Sequence, residues 1–322
     1  MDVPQETVRE IVAIACRAPS VHNTQPWFWT CTDGRLNLYA DLRRHLLYAD
    51  SSRRDLVMSC GAALHHLEVA ARAAGWRPHV ERLPEPKEEW LLARVTFTPH
   101  TPSPDELRLG GAIVRRQTDR RQVSSWPVPA GRIEELASLA SECGVLAASL
   151  QQHDRVSDLL SVATRLQNRN DAYLDELFAW THARAQEGVP TTSLLTRSAA
   201  EKKPGAFSRF PVGSLVDDYD EDADPAAEWL ALCTSSDDPL SWLRTGEALS
   251  SIWLTATVAG LSLVPYTQPI EVESTRQQLQ SALLNDQCCP QVILRIGWPP
   301  LSNEPVAPTP RRHVDHVLDF FS

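Results

Sequence analysis

Apolar residues recur at helical spacing in several stretches of this chain, and the stretches come in pairs. Val8, Ile11, Val12 and Ala15 follow the i, i+3, i+4, i+7 pattern of an amphipathic helix, and so do Ile133, Leu136, Ala137 and Ala140. A second pair is longer. Gly61 to Gly75 aligns with Gly246 to Gly260 at six identical positions, with Leu67 and Val69 opposite Ile252 and Leu254. Both read as apolar helices closed by a glycine suited to the left-handed position after a helix. Each is followed by a β-rich run, Leu91 to Phe97 in one case and Val292 to Trp298 in the other. Each match alone could arise among Ala-rich helices, but three matches in the same order predict an internal duplication. The pattern therefore predicts an α+β fold of two related halves, residues 1–110 and 111–322. They join near the Pro/Ser-rich stretch Pro99 to Asp105. Their antiparallel-rich sheets and long central helices are expected to pack as one body, a single chain imitating a homodimer.

Between the first helix and the first strand-like run lies Arg17-Ala18-Pro19-Ser20-Val21-His22-Asn23-Thr24-Gln25-Pro26-Trp27. Pro19 and Pro26 fix φ and push the residues before them out of the α region, so the segment is stiff. Ser20, His22, Asn23 and Gln25 offer hydroxyl, imidazole and amide groups that can read donors and acceptors on a flat polar heterocycle. The same residues could instead cap a turn that delivers Trp27 to a core strand. Only the second half carries a contrasting basic element, Arg115-Arg116-Gln117-Thr118-Asp119-Arg120-Arg121.

Composition narrows the classes. A 322-residue chain with 43% hydrophobic residues can bury a real core. A net charge of −10 argues against nonspecific nucleic-acid binding, despite the local arginine cluster. The seven cysteines are scattered without paired spacing, so neither a disulfide framework nor a metal site is expected. No apolar run is long enough to span a membrane, and the first residues lack the basic and apolar regions of a leader. A cytoplasmic protein is expected.

Ala18-Pro19-Ser20-x-x-Asn23-x-Gln25-Pro26-Trp27 and Arg116-x-Thr118-x-Arg120 resemble the two flavin-binding motifs of the nitroreductase superfamily. Thr118 stands where Ser is commoner, and keeps the hydroxyl. The fused halves, with Asp50-x-x-Arg53-Arg54-x-Leu56 leading into Ser59-Cys60-Gly61, are similar to the Acg-like subfamily. In the superfamily two subunits interlock, with FMN between them. The resemblance therefore implies one intramolecular FMN site in a monomer, the second having been lost. It implies Arg116 and Thr118 at the phosphate, Arg120 at the pyrimidine edge, and Pro19, Ser20, His22, Asn23 and Gln25 against the isoalloxazine and ribityl chain. Arg115 and Arg121 are expected at the surface. Gln268 and Pro269 would lie beside the flavin, unless their segment is only a surface loop. Arg311 and Arg312 would complete the anion site, Arg312 foremost, unless they only neutralise the onset of a terminal helix.

About 100 residues separate the arginine element from the Gly246 helix, far more than the first half uses. The irregular part, about 165–216, has the character of a lid, with Phe207, Arg209 and Phe210 over the cofactor; packing of an insertion is the alternative. Two functions follow from the resemblance. One is an FMN-dependent oxidoreductase that takes electrons from NAD(P)H or a similar donor to a small acceptor, with His22 a candidate proton carrier. The other is an FMN-sequestering protein whose lid occludes the flavin.

Overall fold

The computed structural model describes residues 3–181, 186–196, 209–217, 226–299, 301 and 304–321. The first half runs α1 (Gln5–Ala15), β1 (Trp27–Thr32), β2 (Arg35–Ala40), α2 (Arg54–Ala73), β3 (Trp76–Arg82) and β4 (Leu91–Pro99). After α3 (Pro104–Arg115) come α4 (Ala130–Glu142), β5 (Leu146–Ser149), α5 (His153–Gln167), α6 (Asp171–Thr181) and β6 (Glu228–Thr234). The chain continues through α7 (Pro239–Val258), β7 (Ser262–Tyr266), α8 (Gln268–Glu271), α9 (Glu273–Leu283) and β8 (Cys289–Gly297), and β9 (Leu318–Phe321) follows.

With α5, α6, α8 and α9 set aside, the second half repeats the first in order: helix, two strands, long helix, two strands. The sheets repeat it too. One has the order β3-β4-β2-β1-β9 and the other β5-β6-β8-β7, so β3-β4-β2-β1 matches β7-β8-β6-β5. Every pairing within these matched sets is antiparallel. In the first half β1 and β2 are joined by Asp33-Gly34, both at positive φ (49° and 72°), the backbone of a tight two-residue hairpin. In the second half the same connection holds everything from 150 to 227. The insertion is thus longer than the 165–216 expected from sequence. The final strand also departs from a simple division at residue 111, because β9 pairs parallel with β1, Trp29 opposite Leu318.

Alternation explains the first sheet. Trp27, Trp29 and Cys31 of β1 and Leu36, Leu38 and Ala40 of β2 point into a core shared with α1, α2 and α3. The second sheet is covered on both faces, by α4 and α7 on one and by α5, α8 and α9 on the other. Accordingly every residue of β6 after Glu228 is buried.

The paired helices α2 and α7 cross in the middle of the molecule. Gly61 and Gly246 are the points of closest approach: a Cβ on Gly61 would lie 2.0 Å from the Leu243 carbonyl oxygen, and one on Gly246 2.0 Å from that of Met58. These are the two glycines that the repeat superimposes. Gly75 and Gly260 end the same helices at φ of 85° and 82°, as expected.

His65 and His66 sit in this interface and serve structure, both ring Nδ1 atoms meeting Ser250 Oγ at 2.7 and 2.8 Å. Burial, then Arg116 and His65, hold the His66 imidazole well below its ordinary range, so it is neutral when folded. The unfolded chain takes up a proton below about pH 6.5 and the folded one does not, so this contribution to stability is lost on acidification. His66→Gln is therefore expected to flatten acid sensitivity: between pH 7 and about 5.5 the wild type should lose about 1.2 kcal/mol relative to the variant. Urea unfolding at the two pH values measures this. The difference removes the opposite contribution of Asp50 and Asp55, whose carboxyls are held above their usual range.

Candidate functional site

The segment after α1 forms a single 3₁₀ turn, Val21–Asn23, and its backbone is strained. His22, Asn23 and Gln25 have φ of 47°, 55° and 51°, the left-handed region that side chains other than glycine seldom occupy. Three anchors hold it. Ser20 Oγ accepts from the Gln25 amide at 2.9 Å, Ser59 Oγ on α2 accepts from the Val21 amide at 3.1 Å, and Cys60 Sγ approaches the Pro26 carbonyl at 3.2 Å.

The two amide side chains fasten distant parts of the chain. Asn23 Nδ2 donates to the carbonyls of Gly188 (2.9 Å) and Pro310 (3.0 Å). Gln25, wholly buried, donates to the Gln186 carbonyl at 2.9 Å and accepts from the Arg312 amide at 2.8 Å. The loop thereby stitches the insertion and the C-terminal segment to the first half.

These elements enclose a cleft between the two halves, with about 1260 Å³ of space counted to its open mouth. Pro19, Ser20, His22 and Asn23 line it from the loop, and Arg116, Thr118 and Arg120 from the segment after α3. Gln268, Arg209, Phe210 and Arg311 complete the set of expected residues that converge there. Gln25, Pro269 and Arg312 are not among its walls. Pro269 is buried and its carbonyl accepts from Thr275 Oγ1 at 2.8 Å. Arg312 spends its guanidinium on the carbonyls of Gln25 and His316. Phe207 lies outside the described residues. Arg115 is exposed as expected, but Arg121 is buried, paired with Asp119 at 2.8 Å and donating to the Glu304 carbonyl at 2.7 Å.

Sequence reasoning missed one wall altogether. Asp55, Met58, Ser59 and Ala62 present one face of α2 at i, i+3, i+4, i+7, opposite Leu249 and Trp253 of α7. The spacing was visible, but nothing in the sequence marks that stripe as facing a cleft rather than core.

At one end of the cleft three guanidiniums gather without an acid. A recess that shares Arg116, Gln117, Thr309 and Arg311 with the cleft is also lined by Arg17. Arg116 stacks 4.4 Å over Trp253 and donates to the Arg17 carbonyl at 3.2 Å. Arg311 donates to the same carbonyl at 3.1 Å. Among the described residues none of the three has a carboxylate within ion-pair distance, and the Nε atoms of Arg17, Arg116 and Arg311 are buried without a partner. Burial, then Arg311 and Arg17, lower Arg116 to about 9; burial, then Arg17, lower Arg311 to about 10. Positive charge concentrated and desolvated in this way is relieved by a bound anion.

The other end is polar and clamped. Arg209, from the insertion, pairs with buried Glu271 at 2.6 Å and donates to His22 Nε2 at 3.0 Å, while Phe210 packs edge-on against the His22 ring at 5.3 Å. Burial, then Arg209 and Arg120, hold His22 well below its ordinary range, so it is neutral. With Nε2 accepting, the proton lies on Nδ1, which is buried and has no partner among the described residues. His22 thus stands in the cleft wall as a neutral imidazole. Arg120 lies 4.8 Å over the Phe210 ring and donates to the Ser193 carbonyl at 3.2 Å.

An acid-free arginine cluster beside apolar walls, with a neutral imidazole and two further guanidiniums, Arg120 and Arg209, at the other end, makes a slot suited to a flat molecule that carries an anion at one end. Among the described residues no group of His, Cys, Asp and Glu is arranged to hold a metal ion. No described helix is long and apolar enough to cross a membrane.

The chain is 38% identical over 316 residues to a Mycobacterium tuberculosis (strain H37Rv) protein named "Putative NAD(P)H nitroreductase Rv3131", spanning 98% of this chain and 92% of the relative. It is 35% identical over 323 residues to "Putative NAD(P)H nitroreductase acg" of the same strain, spanning 98% and 96%. No family model matches the chain. Among solved structures it is similar to the FMN and NADPH-dependent nitroreductase NfnB of Sphigopyxis sp. strain HMH. That match has a TM-score of 0.44 at 17% identity and covers 66% of this chain and 99% of that one. A nitroreductase with bound FMN from Bacteroides fragilis gives 0.39 at 10% identity, covering 61% and 90%.

Proposed function

The chain belongs to the nitroreductase superfamily, and on that premise we propose that its cleft binds one FMN and passes two electrons from NAD(P)H to a small acceptor. The observation that carries this reading is the acid-free trio of Arg17, Arg116 and Arg311, which suits a dianionic phosphate. Bound FMN would supply the hydride chemistry. Arg116 contributes a fork able to form two charge-assisted hydrogen bonds, with the Thr118 hydroxyl beside it. Arg120, desolvated and lowered to about 10 by burial, is suited to the pyrimidine edge, where it would favour an anionic reduced ring. His22 contributes its Nδ1–H. The apolar faces of Met58, Ala62, Leu249 and Trp253 exclude water.

One observation favours a second reading, that the protein sequesters FMN. Arg209 and Glu271, with side chains 8% and 3% exposed, form a buried pair that ties Arg209 of the insertion, in the cleft wall, to α8. A pair of this kind costs about 3–5 kcal/mol to break by removing one partner. It would keep a nicotinamide from the flavin.

The experiment compares wild type with Glu271→Ala, both loaded with FMN and mixed anaerobically with NADPH or NADH. For an enzyme, wild-type flavin bleaches rapidly. For a sequestering protein, the wild type stays yellow while dithionite still reduces it, and Glu271→Ala gains reduction by the nicotinamide. If neither protein retains FMN, both readings fail.

A further inference from the structure

The stripe of α2 in the cleft wall contains one group that neither the phosphate end nor the clamp uses. Asp55 is only 3% exposed, lines the cleft, and its Oδ2 is buried without a hydrogen-bond partner among the described residues. We propose that Asp55 is the proton donor of this cleft, supplying the proton that must accompany hydride when a small acceptor such as a quinone is reduced. The proposal rests on the oxidoreductase reading above.

Among the described residues Asp55 has no ion-pair partner. Asp50 caps α2, its two carboxylate oxygens accepting from the Asp55 and Leu56 amides at 3.1 and 2.8 Å. Two guanidiniums lie nearby, and neither forms an ion pair with Asp55 among the described residues, although Arg54 Nε is buried without a partner there. Arg54 reaches Asp237 and the Ile270 carbonyl, each at 3.4 Å, and stacks 6.0 Å from Trp242. Arg209 is held by Glu271 and His22. Asp55 is thus faced by the acids Asp50 and Glu271 and by two arginines already paired. Burial, then Asp50 and Glu271, raise its carboxyl well above the usual range, and Arg54 and Arg209 offset this only in part. An acid in this position holds its proton more tightly than an exposed carboxyl does.

The chemistry balances. Hydride from the electron donor adds two electrons and one hydrogen to the quinone. The Asp55 O–H bond breaks, its proton joins the developing oxyanion, and a hydroquinone leaves. The electron donor has been oxidised by two electrons, and the Asp55 carboxylate regains a proton from water. A positioned acid of this kind contributes about 10²- to 10⁴-fold to the rate. As a donor it works below its own pKa and fails as the pH rises through it.

Two measurements test the proposal. In protein labelled with ¹³Cγ-aspartate, the Asp55 resonance, identified by its loss in Asp55→Asn, is expected at the carboxylic-acid shift at neutral pH. In FMN-loaded protein reduced by light, so that no nicotinamide is involved, reoxidation by anaerobic benzoquinone should be about 100-fold slower in Asp55→Asn. The wild-type rate should fall about tenfold per pH unit above the Asp55 titration, and the variant should be flat. A carboxylate shift for Asp55 at neutral pH, or a variant that reduces benzoquinone as fast as wild type, overturns the proposal. If Asp55→Asn holds no flavin, the resonance position decides alone. Failure of NADPH to bleach the wild type tells against the electron-donor reading and leaves both measurements intact.

Discussion

Arg116→Met is expected to bind FMN about 30- to 1,000-fold more weakly than wild type, a loss of ~2–4 kcal/mol, while the flavin-free protein becomes more stable. The two signs have one cause. Without an anion, Arg116 is a buried cation facing Arg17 and Arg311, with desolvation its largest penalty. Methionine removes the charge, keeps much of the volume, and can still lie against Trp253, which Arg116 covers at 4.4 Å. With FMN present the account reverses, because the phosphate loses a bidentate partner. Thermal denaturation of the two flavin-free proteins, together with titration of FMN into each, separates this from a structural role. A residue needed only for packing would lower the stability of the flavin-free protein. Arg116→Lys should recover part of the affinity, since an ammonium restores charge without the planar fork. Full flavin retention by Arg116→Met would remove the anion-site assignment.

The contrast between Arg116 and Gln25 explains how far the site was legible in the sequence. Arg116 could be placed because the motif fixes both its chemistry and its local spacing, and the cleft holds it beside Thr118 and Arg120. Gln25 carried an equally suggestive side chain, but its partners are Gln186 and Arg312, far along the chain. No local pattern encodes such a partner. The same limit applies to the choice between Arg311 and Arg312: adjacent residues diverge in direction, and only the path of the C-terminal segment sends Arg311 to the recess. Asp55 was hidden for another reason. A carboxylate in the first turn of a helix is ordinarily a solvated favourable charge, and its burial follows from packing between Asp50 and the second half. The architecture was legible further. The repeat predicted two related halves with helices and β-rich runs in the same chain order because apolar periodicity and terminal glycines are local properties, whereas β9 crossing to the first sheet left no periodic signal.

The repeat also identified the contact on which the cleft depends, and Gly246→Ala is expected to cost roughly 3–5 kcal/mol of stability, at the severe end for overpacking. A Cβ there would stand 2.0 Å from the Met58 carbonyl oxygen and 2.8 Å from the Ala62 amide nitrogen, both backbone atoms of a helix that cannot rotate away. Relief requires α2 and α7 to separate along a face where nearly every residue is buried. Gly61→Ala meets the Leu243 carbonyl at the same distance and should behave alike. Gly111 supplies the control. It lies in α3 with nothing within 4 Å of a added Cβ, so Gly111→Ala should stabilise by about 0.4–1 kcal/mol through helix propensity and a less free unfolded chain. Urea unfolding of the three variants gives the comparison. Because α2 carries Met58 and Ala62 and α7 carries Leu249 and Trp253 into opposite walls of the cleft, the Gly246 variant should also bind FMN less tightly, even where it still folds. Equal and small effects at Gly246 and Gly111 would mean that the two central helices do not meet at the glycines the repeat superimposes.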